Sequence, residues 1–229
     1  ITSFDVHDLK KWFWYGFWSL LGANAWSILS QIDLQIILYY FGDVAAGFWT
    51  NYLSITSLLI FLFVPLLSFC FPWFTELTEK RRFQDLFRTK KLLTIAMVIY
   101  AFLIGCVGTI FWEQLSTRIF WEKYEMSGYL LTHSAFIICT PLLAILNFQF
   151  IRSFWHIRLV TVLQFCILIC HIIASLLIVQ LLGDYIALTI MMHISHLVFY
   201  MITQWYILQK LKPRLLHEGI SLWGHSAKG

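Results

Sequence analysis

Four side chains in this 229-residue chain could carry a proton or hold an ion away from bulk water: Asp33, His171, His193 and His196. Asp33 stands in an apolar run; Lys11 is the nearest basic residue before it and Lys80 the nearest after it. A carboxylate inside an apolar span costs a few kcal/mol unless it is paired, hydrated or protonated. It can couple to a cation or accept hydrogen bonds from a polar cargo. It can also be an interfacial Asp held by Gln31, Gln35 or water. His171, with His193 and His196 at i and i+3, suggests different chemistry. Two imidazoles facing each other at one depth can ligate a haem iron or a metal. The same residues also serve as hydrogen-bonded histidines within a bundle. Asn24, Ser30, Gln31, Gln35 and Asn147 offer amides and hydroxyls, and Arg152 a cation, as candidates to line a substrate or ion path. Arg152 reads equally as a basic anchor at a membrane face.

Enzyme signatures are missing. There is no GxSxG, HExxH, GxxxxGK[ST] or GxGxxG, and no pair of carboxylates lies within one apolar run. Cys70, Cys106, Cys139, Cys166 and Cys170 lie in apolar runs with no CxxC pair, so they read as small hydrophobes, not a disulfide or zinc framework. A mover or a scaffold is expected rather than a catalyst, with no cofactor.

The elements that must position these residues are apolar stretches at roughly 12–40, 48–73, 92–112, 127–150, 159–182 and 185–208. Each is about 20 residues or more, enough to cross roughly 30 Å of hydrocarbon at 1.5 Å per residue. Apolar residues make up 60% of the chain, charged residues 12%, and mean hydropathy is +0.76. An ordinary soluble domain carries about 25% charge. The expected fold class is therefore all-α: one bundle of six transmembrane helices with no soluble domain. Of the 16 Lys and Arg residues, all but Arg118 and Lys123 fall on one side of such a bundle. The bias of short cytoplasmic loops toward Lys and Arg then puts both termini inside. The net charge of +4 belongs to membrane-flanking loops and does not point to nucleic acid. The first residue is Ile1, not Met, which suggests a piece of a longer protein.

The first stretch is longer than a perpendicular crossing needs. It carries two polar stripes: Ser19, Gly22, Trp26, Ser30 and Asp33 on one face, and Asn24, Ser27, Gln31 and Gln35 on a roughly opposite one. Such a helix is expected to pack against neighbours or line a wet cavity. Asp33 lies 21 residues after Trp12, or about 31 Å along the axis, which predicts a place in the outer part of the span. The loop 75–91 reads as an amphipathic segment on the inner surface, with Phe83, Leu86 and Phe87 on its apolar face. Trp12, Trp14, Trp49, Trp73, Trp112, Trp121 and Trp155 read as an interfacial aromatic belt.

Several landmarks carry a resemblance. QIDLQIILYYFGDVAAGFWTNYLSI (31–55) has an Asp near a span end, then Gly42 and Gly47 at a short turn. VPLLSFCFPWFTELTEKRRFQDLFRTKK (64–91) has Pro72 near a span end, then a charged loop with Glu76, Leu77 and Leu86. IFWEKYEMSGYLL (119–131) has Phe120 and Tyr124, and LLGDYIAL (181–188) has Gly183 and Ala187. In order and spacing these resemble the C-terminal half of polysaccharide and O-antigen flippases of the multidrug/oligosaccharidyl-lipid/polysaccharide exporter superfamily. The chain departs from that pattern at Trp121, at Tyr185 and Ile186, and at Phe48 and Trp49. The resemblance implies one six-helix lobe of a two-lobe transporter, working with an N-terminal half in a bacterial inner membrane. The implied activity is flipping of an undecaprenyl-pyrophosphate-linked oligosaccharide by alternating access, in contact with membrane lipids and coupled to H⁺ or Na⁺ through Asp33. A drug or metabolite antiporter of the same fold is the alternative. A six-helix b-type cytochrome using His171, His193 and His196 is a further one.

Overall fold

Proline and glycine decide where those apolar stretches become helices. The computed structural model describes residues 6–61, 63–120, 125–137 and 139–215, and no strand occurs among them. The elements are α1 (Val6–Phe61), α2 (Val64–Glu79), α3 (Phe83–Phe120), α4 (Glu125–Ser134), α5 (Thr140–Arg152), α6 (Ile157–Leu182) and α7 (Ile186–Tyr206), the last continued by a π-helical turn, Ile207–Leu211. Among the described residues, four stretches are long and apolar enough to cross a membrane: Leu9–Phe61, Phe83–Phe111, Ile157–Leu182 and Ile186–Leu215. Long apolar helices pair most backbone groups of the described residues internally, as a hydrocarbon surround demands.

The six expected stretches do not become six unbroken helices. The first runs on into the second within α1, and the expected turn around 41–47 shrinks to one non-helical residue, Gly42, at φ 81° and ψ −177°. Only glycine adopts that conformation cheaply. The second stretch breaks ahead of α2, which carries a proline in its first turn. The fourth breaks between α4 and α5, again with a proline opening the next helix. Proline starts helices well but lacks the N–H needed to continue one. α2, α4 and α5 have 16, 10 and 13 residues, so each is shorter than the roughly 30 Å hydrocarbon core.

Two local expectations are corrected. Residues 75–91 do not form a separate surface segment. They end α2 and begin α3, and Phe83 and Leu86 are buried because the chain turns straight back into the bundle. Trp49 does not sit in an aromatic belt; it is fully buried beside Tyr52, with ring centroids 5.5 Å apart. Trp121 and Tyr124 lie outside the described residues.

The part of α1 before Gly42 lies along α6, α5 along α7, and α3 along α4. Gly22 permits the first contact. A Cβ there would stand 2.7 Å from both Phe148 Cε2 and Thr161 Oγ1, and Thr161 donates to the Trp18 carbonyl at 3.0 Å. Gly22→Ala is therefore expected to lower stability by about 1–3 kcal/mol despite its better helix propensity. Gly16→Ala, which would meet nothing within 4 Å, should be neutral or stabilising in the same melting experiment.

Basic residues gather at one end of the bundle. Lys11 lies over Trp155 at 5.0 Å, Arg152 over Phe71 at 4.2 Å, Arg158 over Trp18 at 5.7 Å, Lys90 over Phe150 at 5.4 Å and Lys212 over Phe87 at 5.9 Å. At the same end His156 hydrogen-bonds Tyr206 at 2.8 Å. Burial, and then the neighbouring Arg214, hold its imidazole below the ordinary value.

Candidate functional site

The centre of the bundle holds a line of polar side chains from three helices. Asp33 comes from α1, His171 and Ser175 from α6, and Ser195 from α7. Asp33 Oδ1 lies 2.8 Å from His171 Nε2, and Ser175 Oγ lies 3.1 Å from the same nitrogen. His171 Nδ1 lies 2.9 Å from Ser195 Oγ, which is also 3.1 Å from the Met191 carbonyl. All four residues are buried, Asp33 completely. The second carboxylate oxygen, Oδ2, has no hydrogen-bond partner among the described residues.

The depth of this pair differs from the sequence expectation. Counting from Trp12 puts Asp33 in the outer part of its span, but its partner His171 occupies the middle of α6. The reason is that α1 does not end at residue 40; the chain stays helical to Gly42 and beyond, so Asp33 sits well inside it. Nor does Asp33 line an open cavity, and its partner is not Gln31 or Gln35.

The hydrogen bonds allow two proton counts. With Asp33 ionised, His171 donates from Nε2. If the Ser195 hydroxyl donates to Nδ1, the imidazole is neutral. If that hydroxyl turns to the Met191 carbonyl, Nδ1 must donate to Ser195, and the imidazole carries a second proton. The first arrangement leaves one net negative charge in the core and the second leaves none. A net charge in a low-dielectric interior is strongly disfavoured.

A second buried cluster sits where α4 gives way to α5. The Tyr52 hydroxyl lies 2.5 Å from His193 Nε2 and 3.1 Å from Ser134 Oγ. His193 Nδ1 lies 3.2 Å from Thr140 Oγ1. Ser134 ends α4 and Thr140 begins α5, so side chains from α1 and α7 meet the helix break, where backbone groups lack their usual partners. Between the two clusters, His196 stacks on Trp26 with ring centroids 4.1 Å apart, and its Nδ1 donates to the Met192 carbonyl at 2.8 Å.

The two stripes of α1 part company. Gly22 and Asp33 are buried, and Ser19, Trp26 and Ser30 are half-buried. Ser30 donates to the Ser27 carbonyl at 3.0 Å. Asn24, Ser27, Gln31 and Gln35 are exposed and, with Ile28 and Ile32, line a shallow groove of about 310 Å³. Asn147 does not join that groove. It is buried, and its amide donates to the Tyr200 carbonyl at 3.1 Å and to Thr203 Oγ1 at 2.9 Å, which ties α5 to α7. Arg152 donates to the Tyr15 hydroxyl at 3.0 Å at the basic end of the bundle.

His171 and His193 are not open to a haem or metal in this arrangement. Both ring nitrogens of His171 and both of His193 have side-chain partners. No group of three His, Cys, Asp or Glu side chains converges among the described residues. Sequence reasoning missed Tyr52, Ser134, Thr140, Ser175 and Ser195, since hydroxyl residues in apolar helices usually just donate to their own backbone. Only the i and i+4 spacing of His171 and Ser175 hinted at one of them. No family model matches the chain, and no curated protein or solved structure matches it.

Proposed function

We propose that this chain is a six-crossing lobe of a bacterial inner-membrane transporter that flips a lipid-linked oligosaccharide by alternating access. The broken pairs around α2 and α4–α5 would each complete a crossing. The observation that carries this reading is the exposed polar stripe of α1, Asn24, Ser27, Gln31 and Gln35, within a helix otherwise suited to hydrocarbon. Lipid does not solvate amides, so that face calls for a polar neighbour. Across a cavity shared with another lobe it offers donors and acceptors to sugar hydroxyls without a net charge that would hold them too tightly.

The Asp33–His171 pair supports a proton-coupled form of this reading. It joins α1 to α6 and α7, so a change in its proton count bears on how the cargo-facing helix sits. The same observation favours a cation-coupled antiporter as the second reading, with a smaller polar solute in place of the glycan.

Both readings put the basic end of the bundle in the cytoplasm. In a cysteine-free background, a cysteine replacing Arg82 should resist an impermeant thiol reagent added outside intact cells, and one replacing Arg118 should react. The reverse pattern contradicts the orientation. The cargo is tested in cells lacking the chain: lipid-linked oligosaccharide should build up in the inner leaflet and surface glycan should fall. Normal surface glycan with impaired efflux of a small solute would select the antiporter.

A further inference from the structure

A second cavity lies at the basic end of the bundle, on different helices from the α1 groove. Its volume is about 240 Å³, and Phe87, Lys90, Lys91, Thr94, Gln204 and Lys212 line it, between the first turns of α3 and the last turns of α7. Lys90 is only 4% exposed. Its Nζ donates to Gln204 Oε1 at 2.6 Å and lies 5.4 Å from the centre of the Phe150 ring. An ammonium carries three donors, and Gln204 is a neutral acceptor. No carboxylate pairs with Lys90 among the described residues. A buried cation without a counter-ion is unfavourable unless something supplies the negative charge. Lys91 and Lys212 are exposed, and they add positive charge to the cavity wall.

The backbone is unusual at the same place. α7 widens into the π-helical turn Ile207–Leu211, and Ile207 and Leu208 also line the cavity. Short π-helical turns are rare and are frequent at functional sites. The result is an apolar wall beside three ammonium groups, at the end of a bundle whose flanks suit hydrocarbon. A phosphate on a lipid fits both halves of that wall: the anion meets the lysines and the acyl chain lies along the isoleucine and leucine.

We propose that this cavity binds the phosphate of an anionic phospholipid headgroup, with Lys90, Lys91 and Lys212 as its cationic contacts. Basic pockets between membrane helices are suited to such headgroups. The site is separate from the cargo path and does not depend on what the cargo is. Bound lipid would clamp the start of α3 to the end of α7.

The test is lipid retention by the full chain, purified in mild detergent, titrated with phosphatidylglycerol or phosphatidylcholine and read by native mass spectrometry. Phosphatidylglycerol should be retained preferentially. Lys90 is buried and its loss could harm folding, so the informative variant is Lys91→Gln with Lys212→Gln, both exposed. Each neutralised lysine should weaken retention roughly fivefold, or about 25-fold for the pair. Lys80→Gln, at an exposed lysine already paired with Glu76, should leave it unchanged. Inorganic phosphate in the buffer separates the sources. No displacement assigns the site to the lipid headgroup, and displacement shows that the phosphate group alone suffices. Equal retention of the two lipids, no loss in the double variant, or an equal loss in Lys80→Gln would overturn the proposal.

Discussion

His171→Ala is expected to destabilise the bundle by about 3–5 kcal/mol, because it leaves the fully buried Asp33 carboxylate without its partner. Asp33→Ala should cost less, about 1–3 kcal/mol, since it leaves a hydrogen-bonding nitrogen without a partner and not a buried carboxylate. Removing both side chains at once should recover part of the loss, because neither buried group is then stranded. Chemical unfolding of the three variants in detergent gives the cycle directly. Ordinary hydrogen bonds inside membrane proteins average about 0.6 kcal/mol in such cycles and reach about 1.7. A coupling above roughly 2 kcal/mol would therefore mark a charged pair, and one of about 1.7 or less would mean that the contact is a plain hydrogen bond. Asp33→Asn keeps the shape and most of the hydrogen bonding but fixes the charge at zero. It should reduce transport at least about tenfold at normal membrane abundance, since a group that cannot titrate cannot couple.

The second large effect is on activity alone. Asn24→Leu combined with Gln31→Leu should change stability by no more than about 0.5 kcal/mol, because both side chains are exposed and Asn24 donates only to its own helix, to the Leu20 carbonyl at 2.7 Å. Transport should nevertheless fall at least about tenfold, because the groove would lose two of its three amides and keep only that of Gln35. If the pair instead stabilises the protein and transport is unchanged, the stripe faces lipid and serves no cargo. Wild-type-like transport together with a large stability loss would mean that the stripe is a packing surface.

These two expectations differ in how far the sequence alone could carry them. The polarity of α1 was legible, because period-3.6 spacing puts Gly22, Ser30 and Asp33 on one side and Asn24, Gln31 and Gln35 on the other. Spacing could not say which side faces in, and the structure buries one stripe while leaving the other open. Asp33 and His171 were each legible as odd residues in apolar runs. Their pairing was not, because they lie 138 positions apart and only the packing of α1 along α6 joins them. Hydropathy located the apolar stretches but not their breaks. A helix interrupted near Pro65 or at 135–139 is as apolar as an unbroken one, and what fills the second gap, Tyr52 and His193, comes from elsewhere in the chain. The loop 75–91 looked amphipathic because the ends of two helices placed head to tail mimic one helix with a charged face.

The most direct measurement is transbilayer movement in vesicles. The full-length protein is reconstituted with a fluorescent lipid-linked oligosaccharide in one leaflet, and its arrival in the other is followed with a membrane-impermeant quencher. Faster movement than in protein-free vesicles is predicted, together with a dependence on an imposed pH gradient that Asp33→Asn removes. A rate equal to that of protein-free vesicles, with the protein folded and correctly inserted, would contradict the account.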